Sequence, residues 1–200
     1  MMLKHKSFAG SLIQPFVVAA ILAIGLRHTV QAYSIPTASM SPALEPGDHI
    51  LVTPYALSLG RTGPGRGDVV VFRSPANGEL LIKRVIAVPG DLIEVRNHVL
   101  INGQQLEEPY LAAGIGSGTI TPVLLAPETY FVMGDSRNDS LDSRAWGTVS
   151  REAIIGRARL IFWSDGKITG GATARAASRL GEVSTGTTRI QWHRLLQAVR

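Results

Sequence analysis

The stretch LLIKRVIAVPGDLIEVRNHVLINGQQL, residues 80–106, decides the fold class of this chain. Its apolar runs are short and rich in β-branched residues, and glycine, proline and asparagine separate them, which is typical of β-strands. Leu80–Val88 is the first such run. Asn102-Gly103 lies between two later runs and predicts a tight hairpin turn between antiparallel strands.

Similar runs flank this stretch on both sides and extend the β pattern. No regular alternation of strands with helices accompanies them, which argues against a parallel α/β fold. We therefore expect a mainly β fold, built as an antiparallel sheet or a partly open barrel. Residues 111–125, LAAGIGSGTITPVLL, are interpreted as a surface insertion. The further predicted strands are Asp68–Ser74, Thr129–Asp135 and Ile154–Trp163.

The composition supports a folded domain and excludes several kinds of site. Hydrophobic residues make up 45% of the 200 residues and charged residues 18%, so the chain can bury a core. It contains no cysteine, which excludes disulfides, thiol catalysis and cysteine-ligated metals. The five histidines show no metal-ligand spacing, so we predict no metal site.

Phe8–Leu26 is a run of nineteen residues without a charge. A helix rises about 1.5 Å per residue, so this run comes close to crossing the ~30 Å hydrocarbon core of a bilayer. Lys4 and Lys6 precede the run and Arg27 follows it, so the positive-inside rule favours a cytoplasmic N-terminus. We predict that residues 1–33 hold a cytoplasmic N-terminus and a transmembrane signal-anchor helix.

A cleavable signal peptide is the alternative interpretation of this segment. The small residues of VQA, Val30–Ala32, resemble a signal peptide cleavage site. With either interpretation, the rest of the chain faces the non-cytoplasmic side of the membrane.

The remaining chain divides into a predicted β-rich domain, 34–166, and a basic tail, 167–200. The tail carries the surplus behind the net charge of +5, and Glu182 is its only acidic residue. Its end could form an amphipathic helix, which would either lie on anionic lipid or pack on its own β domain. Because a membrane segment is predicted at the other end, lipid is preferred to nucleic acid as a partner. The apolar residues at helical spacing are Trp192, Leu195, Leu196 and Val199.

SIPTASMSP, Ser34–Pro42, places several hydroxyl groups between prolines just after the predicted membrane segment. In an extended chain Thr37 and Ser39 would point to the same side, because side chains alternate. Serine is a weak nucleophile unless a base removes its proton. A catalytic serine here would therefore need a base from elsewhere in the chain.

Lys83 is the candidate base. In the predicted strand it shares a face with Leu81, Val85 and Ala87, whereas Arg84 points to the other face. Apolar surroundings disfavour the charged amine and lower its pKa, and a neutral amine can act as a general base. A lysine on an edge strand, with its amine in water, remains the alternative.

A third stretch, GDSRNDSLDSRAWG at residues 134–147, packs charged and hydroxyl side chains together directly after a predicted strand. In water, such a loop would form ion pairs that contribute little to stability. It could equally hold a lysine amine and a serine hydroxyl in register. The spacing of the residues leaves both possibilities open.

Taken together, PTASMSPAL, LIKRVIAVPGD and GDSRNDSLDSRAWG, in this order after a membrane segment, resemble bacterial type I signal peptidase, also called leader peptidase. RGDVVVF and GRARLIFW match weaker segments of that family. The resemblance runs from about Pro36 to Trp163 and covers most of the chain. It implies a Ser–Lys dyad on a largely antiparallel β fold that faces the membrane.

The resemblance also assigns roles by motif position. It makes Ser39 the nucleophile and Lys83 the general base. Thr37 falls where the family has a hydroxyl that forms the oxyanion hole together with the Ser39 backbone N–H. Ser140 falls where a serine orients the lysine amine. The positions that brace this site correspond to Asp142 and Arg144.

The implied activity is that of a membrane-bound serine endopeptidase that removes N-terminal signal peptides from exported preproteins. The family cuts after small residues at positions −3 and −1, of the Ala-x-Ala type, and its chemistry implies no cofactor. Expected partners are secretory preproteins, membrane lipid and a nearby secretion translocon, but no nucleic acid. The expected location is the bacterial inner membrane, single-pass, with the catalytic domain on the periplasmic side. The residues expected to line the substrate pockets are Ile35, Met40, Leu81 and Val85.

Several alternatives stay open at this point. A specialised relative that matures conjugative pilins would use the same chemistry. A catalytically inactive, membrane-anchored β module would bind peptides without cutting them, and a self-cleaving Ser–Lys repressor would need a DNA-binding N-terminus. A further hypothesis is that the protein cuts its own chain after Ala32.

Overall fold

A computed structural model describes Pro15, Val17, residues 30–55, 63–111 and 118–165, Arg194 and residues 196–199. Within these residues lie twelve strands, two short 3-10 helices, η1 and η2, and one short α-helix, α1. The strands are β1 (Gln31–Ser34), β2 (Asp48–Pro54), β3 (Val69–Arg73), β4 (Leu80–Ala87), β5 (Leu92–Val95), β6 (Val99–Ile101), β7 (Gln104–Gln105), β8 (Ile120–Leu124), β9 (Thr129–Met133), β10 (Val149–Ser150), β11 (Ile154–Ser164) and β12 (Gln197–Ala198); the helices are η1 (Arg137–Asp139), α1 (Ser143–Trp146) and η2 (Arg151–Ala153).

The larger sheet has eight strands in the order β1-β2-β11-β3-β4-β9-β10, with β12 paired to β11. All of its strand pairs are antiparallel. The path stays open between β1 and β10 in the part of the chain that the structure describes. The predicted antiparallel β class is therefore confirmed, and the sheet is not closed into a barrel.

Strand β4 lies between β3 and β9 in this sheet and carries the predicted base. Leu81 and Val85 pack in one hydrophobic cluster and lie on the same side of β4 as Lys83, as the alternation predicted. The register shifts between Val85 and Ala87. Ala87 consequently packs in a different cluster, together with Ile86, so its predicted place on the Lys83 face is wrong.

The smaller sheet has four strands in the order β7-β6-β5-β8. The predicted hairpin turn joins β6 to β7, and Asn102 and Gly103 have φ angles of 54° and 79°. Both residues adopt the left-handed region that a two-residue hairpin turn requires. Residues 120–124 of the segment interpreted as a surface insertion form β8, which pairs with β5 and is mostly exposed.

The ends of the described β domain differ from the predicted boundaries. β1 begins at Gln31, so the domain extends into the segment assigned to the membrane anchor. In the tail, β12 pairs with β11, and Val199 is buried beside it. The predicted amphipathic helix is wrong at Gln197–Ala198, because pairing with β11 satisfies the backbone there in an extended conformation. Trp192 and Leu195 lie outside the described residues.

Of the predicted membrane segment Phe8–Leu26, only Pro15 and Val17 are among the described residues. Within the described residues no helix is both long and apolar enough to span a bilayer.

Candidate active site

The loop between β1 and β2 carries Ser39. Ile35 N–H donates to Asp48 O at 2.8 Å and Gly47 N–H donates to Ile35 O at 2.9 Å, which closes the base of this loop. Met40 and Leu44 are fully buried and anchor its interior in the core. Residues 37–43 form bends and turns, so Thr37 and Ser39 do not alternate along an extended strand as the sequence suggested.

The turn nevertheless brings both hydroxyl groups together. Thr37 Oγ1 lies 3.3 Å from Ser39 Oγ. Thr37 is exposed, whereas Ser39 is only 8% exposed. The Ser39 hydroxyl is therefore buried next to an exposed hydroxyl, that of Thr37.

Lys83 approaches Ser39 from the buried side. Its Nζ donates to Ser39 Oγ at 2.7 Å, across 44 positions of sequence. Lys83 is 4% exposed. The candidate nucleophile and the candidate base are thus in direct hydrogen-bond contact in a site that is nearly closed to water.

The surroundings of Lys83 favour the neutral amine. Burial lowers the pKa of Lys83 below its usual value of 10.5. The negative charges of Asp142 and Asp135 act in the opposite direction, and the positive charge of Arg144 acts in the same direction as burial. Desolvation prevails, so the amine loses its proton more readily than an exposed lysine does.

The loop after β9, residues 134–142, covers this pair, and Asp142 connects its two ends. Asp142 Oδ2 accepts from Gly134 N–H at 3.0 Å and from Ser140 Oγ–H at 2.8 Å. Arg144 Nε donates to Asp142 Oδ1 at 2.8 Å. Although burial alone would raise the pKa of Asp142, these hydrogen bonds lower it.

The three predicted orienting and bracing residues thus lie together. Arg144 Nη2 also donates to Arg137 O at 2.7 Å, within the same loop. Among the described contacts, Ser140 Oγ donates to Asp142. Of the charges near Lys83, that of Asp142 raises the pKa of the amine most. Asp142 therefore links the loop to the lysine electrostatically.

Gly134 lies where the loop passes closest to the serine. A Cβ atom at this position would lie 2.3 Å from Ser140 Oγ and 2.5 Å from Ser39 O. Ser136 N–H donates to the same Ser39 oxygen at 3.1 Å. Only a residue without a side chain allows this approach, because real Cβ atoms do not come so near a backbone oxygen.

Two arginines that the sequence did not identify also hold the loop. Arg84 forms a two-point ion pair with Asp135, at 2.8 Å from Nε to Oδ1 and 2.5 Å from Nη2 to Oδ2. Arg137 Nε donates to Gly134 O at 3.1 Å, and its Nη atoms bind the carboxylate of Glu108. In the sequence, Arg84 was notable only as the neighbour of Lys83 and Arg137 only as one of the charged residues of the stretch 134–147, and Glu108 gave no signal.

The residues predicted to line substrate pockets lie in different surroundings. Met40 and Val85 are fully buried in two separate hydrophobic clusters, so they offer no surface to a substrate here, which corrects that prediction. Leu81 is half-buried at the edge of its cluster. Ile35 is also buried, in the same cluster as Met40, although it borders a cleft of about 340 Å³ at the base of the Ser39 loop.

Comparisons with known proteins identify the family to which this chain belongs. The family model described as signal peptidase, peptidase S26, matches residues 9–163. A probable signal peptidase I-2 of Synechocystis sp. is 40% identical over 156 residues, covering 74% of this chain and 70% of that protein. A signal peptidase I of Leptolyngbya laminosa is 40% identical, with coverages of 73% and 75%. One of Bacillus amyloliquefaciens is 33% identical, with coverages of 74% and 81%.

Proposed function

The chain belongs to the signal peptidase I family of serine peptidases, and we propose that it removes signal peptides from exported preproteins with Ser39 and Lys83 as its catalytic pair. One observation carries the proposal. A buried amine with a lowered pKa donates a 2.7 Å hydrogen bond to the Ser39 hydroxyl, which lies 3.3 Å from the hydroxyl of the exposed Thr37. A buried lysine placed in this way is a usual device for activating a serine without histidine.

The first step is proton transfer within that hydrogen bond. Neutral Lys83 accepts the proton of Ser39 Oγ while the oxygen attacks the scissile carbonyl carbon. A tetrahedral intermediate forms, and the former carbonyl oxygen becomes an oxyanion. Thr37 Oγ1 and the backbone N–H of Ser39 donate hydrogen bonds to it, and the place of Thr37 on the exposed side of Ser39 supports this role.

The intermediate then collapses. The protonated amine of Lys83 gives its proton to the leaving nitrogen of the mature protein, which departs and leaves the signal peptide as an ester of Ser39. A water molecule, deprotonated by Lys83, hydrolyses this ester and regenerates the serine. Ser140 and Asp142 keep the loop and the lysine in register through both steps.

The proposed substrates carry small residues at positions −3 and −1. The half-buried Leu81, two positions from Lys83 on β4, supports a shallow apolar pocket near the catalytic pair. We further propose that the protein is anchored in the inner membrane by Phe8–Leu26, with its N-terminus in the cytoplasm. The β domain then meets preproteins on the periplasmic side, beside the translocon and the lipid surface.

The test is cleavage of a purified preprotein with an Ala-x-Ala site, compared between wild type and Ser39→Ala. Wild type should release a mature protein whose first residue follows the second alanine, as N-terminal sequencing of the product shows. Ser39→Ala should release none, and Lys83→Ala should behave in the same way. Processing by the Ser39→Ala protein would refute the assignment. Processing of pilin precursors alone would favour the specialised relative.

A further inference from the structure

Between β7 and β8 the chain passes close to the candidate active site at Glu108–Tyr110, which we call the clamp. Glu108 lies half-buried and accepts hydrogen bonds from both Nη atoms of Arg137, at 3.0 Å for Nη1. Tyr110 donates its hydroxyl proton to Glu108 Oε1 at 2.7 Å. The ring of Tyr110 lies beneath the guanidinium of Arg84, 4.0 Å from its central carbon.

The two arginines that rest on the clamp hold neighbouring residues of the loop after β9. Arg137 donates to the carbonyl oxygen of Gly134, and Arg84 holds the Asp135 carboxylate at two points. Gly134 is the residue that packs against the backbone oxygen of Ser39. Three contacts therefore link Glu108 to the nucleophile, through Arg137 and Gly134.

Burial makes these contacts stiff. The side chains of Arg84 and Arg137 are 1% and 3% exposed, and that of Glu108 is 10% exposed. A buried guanidinium that loses its carboxylate cannot take up water in exchange, so it must shift towards another acceptor. For Arg137 such a shift would pull on Gly134, because the same side chain holds that carbonyl oxygen.

We propose that Glu108 and Tyr110 are positioning residues for the reaction. This inference rests on the proposed function of Ser39 and Lys83. They fix Arg137 and Arg84, and these arginines hold Gly134 and Asp135 so that Ser39 Oγ stays in line with the Lys83 amine. In the described contacts neither clamp residue touches Ser39 or Lys83. Their effect on the reaction therefore passes through the two arginines.

The main test measures kcat and KM of the full-length protein on a preprotein, for wild type and Glu108→Gln. Gln keeps the size of the side chain and removes its charge. Because a displacement of about 1 Å can cost roughly a hundredfold in rate, we expect kcat to fall about ten- to a hundredfold. KM should stay within about twofold, because a residue that acts through Arg137 changes the position of Ser39 and removes no binding contact. The matched control is Glu107→Gln, an exposed neighbour of equal charge, which should keep the wild-type kcat.

Two further variants separate positioning from simple stability. Tyr110→Phe keeps the ring beneath Arg84, whereas Tyr110→Leu removes it, so the Leu variant should lose more of kcat. The double variant Glu108→Gln/Arg137→Gln should lose little more than the stronger of its single variants, because both break the same link. All rates are compared at a temperature well below the thermal midpoint of every variant.

The outcomes distinguish this proposal from the proposed function. Suppose that wild type cleaves, Ser39→Ala does not, and folded Glu108→Gln and Tyr110→Leu keep the wild-type kcat. The clamp is then refuted and the catalytic pair stands. A rise in KM with unchanged kcat in Glu108→Gln would also overturn the positioning role of the clamp, because a lost substrate contact has this result. Cleavage by Ser39→Ala would overturn both proposals.

Discussion

At the scale of single residues, Lys83 occupies a position that a charged amine avoids. It is 4% exposed, and its neighbours on the same face of β4 are the apolar Leu81 and Val85. Each unit by which a pKa falls corresponds to about 1.4 kcal/mol of preference for the neutral form. The amine can remain in this place because it gives its hydrogen bond to Ser39 and because Asp142 offsets part of the desolvation.

Gly134 gives the first prediction at this scale. In Gly134→Ala the new Cβ would overlap Ser140 Oγ and the backbone oxygen of Ser39, so the loop must move away from the serine. We expect kcat to fall by about a hundredfold. The measurement is the steady-state rate on a preprotein.

The control is Gly156→Ala, whose Cβ would lie 2.6 Å from Thr53 O, between β11 and β2. This variant has an equally crowded backbone away from the serine, so it should lose stability and keep kcat in its folded fraction. Equal rates for Gly134→Ala and Gly156→Ala would contradict the close-approach argument.

The sequence identified single residues where a local rule applied. The face of β4 pointed to Lys83 because strand side chains alternate, and the family resemblance supplied the roles of Ser39 and Ser140. The partners Arg84–Asp135 and Arg137–Glu108 could not be predicted, because each pair joins segments that are far apart along the chain. Only the fold decides which charges meet in the interior.

At the scale of elements, the loop after β9 and α1 act as one unit through Asp142. Its side chain accepts from the backbone N–H of Arg144 at the start of α1, as an N-cap residue does. The same carboxylate holds Gly134 at the other end of the loop. One buried acid thus closes the loop and starts the helix that follows it.

The lowered pKa of Asp142 gives a prediction about stability and pH. A carboxyl group whose pKa falls on folding stabilises the protein above its usual value of 3.8, and this contribution is lost as the pH falls through the lowered value. Asp142→Asn keeps a capping side chain without the charge. We expect it to be less stable than wild type by about 1–3 kcal/mol at neutral pH.

The measurement is urea unfolding of wild type and Asp142→Asn across pH. The difference between their free energies of unfolding should shrink below about pH 3.8. Asp139→Asn is the control, because Asp139 is an exposed acid of the same loop and should change stability by less than about 0.5 kcal/mol. A difference for Asp142→Asn that stays constant into strong acid would refute the electrostatic explanation.

Among the elements, the sequence predicted the strands that carry their own signal. Runs of β-branched residues identified β3, β4, β9 and β11, and the Asn-Gly turn identified the hairpin of β6 and β7. β12 could not be found in this way, because two residues become a strand only through their partner β11. At Gln197–Ala198, pairing of this kind prevailed over the helical spacing of the neighbouring apolar residues.

At the scale of the whole molecule, both ends of the described β domain lie close to the nucleophile loop. β1 leads directly into this loop, and its first residue, Gln31, lies eight positions before Ser39. From the other end, Arg194 Nη2 pairs with the buried Asp48 at 2.6 Å, and Val199 belongs to the same hydrophobic cluster as Met40 and Leu44. The sequence alone suggested that the N-terminal end lies near the nucleophile loop, because few residues separate Ser39 from the predicted membrane segment. It did not suggest that the C-terminal end packs there.

This arrangement predicts what loss of the anchor does. A protein lacking residues 1–29 keeps all of β1, so it should fold and cleave soluble signal peptides at close to the wild-type rate. It should lose the preference for membrane-inserted preproteins, because tethering enzyme and substrate to one surface raises their effective concentration. The measurement is the ratio of kcat/KM for a preprotein in vesicles to that for a soluble peptide. An unchanged ratio would contradict the role of the anchor.

The central claim concerns the charge of one amine, and its titration can be observed directly. Lysines labelled with ¹³C at Cε are followed by NMR across pH in the full-length protein, and Lys83→Arg identifies the signal of Lys83. We predict that Lys83 titrates clearly below its usual value of 10.5. Titration of Lys83 at or above 10.5 would contradict the account, because the amine would then be charged when Ser39 needs a base.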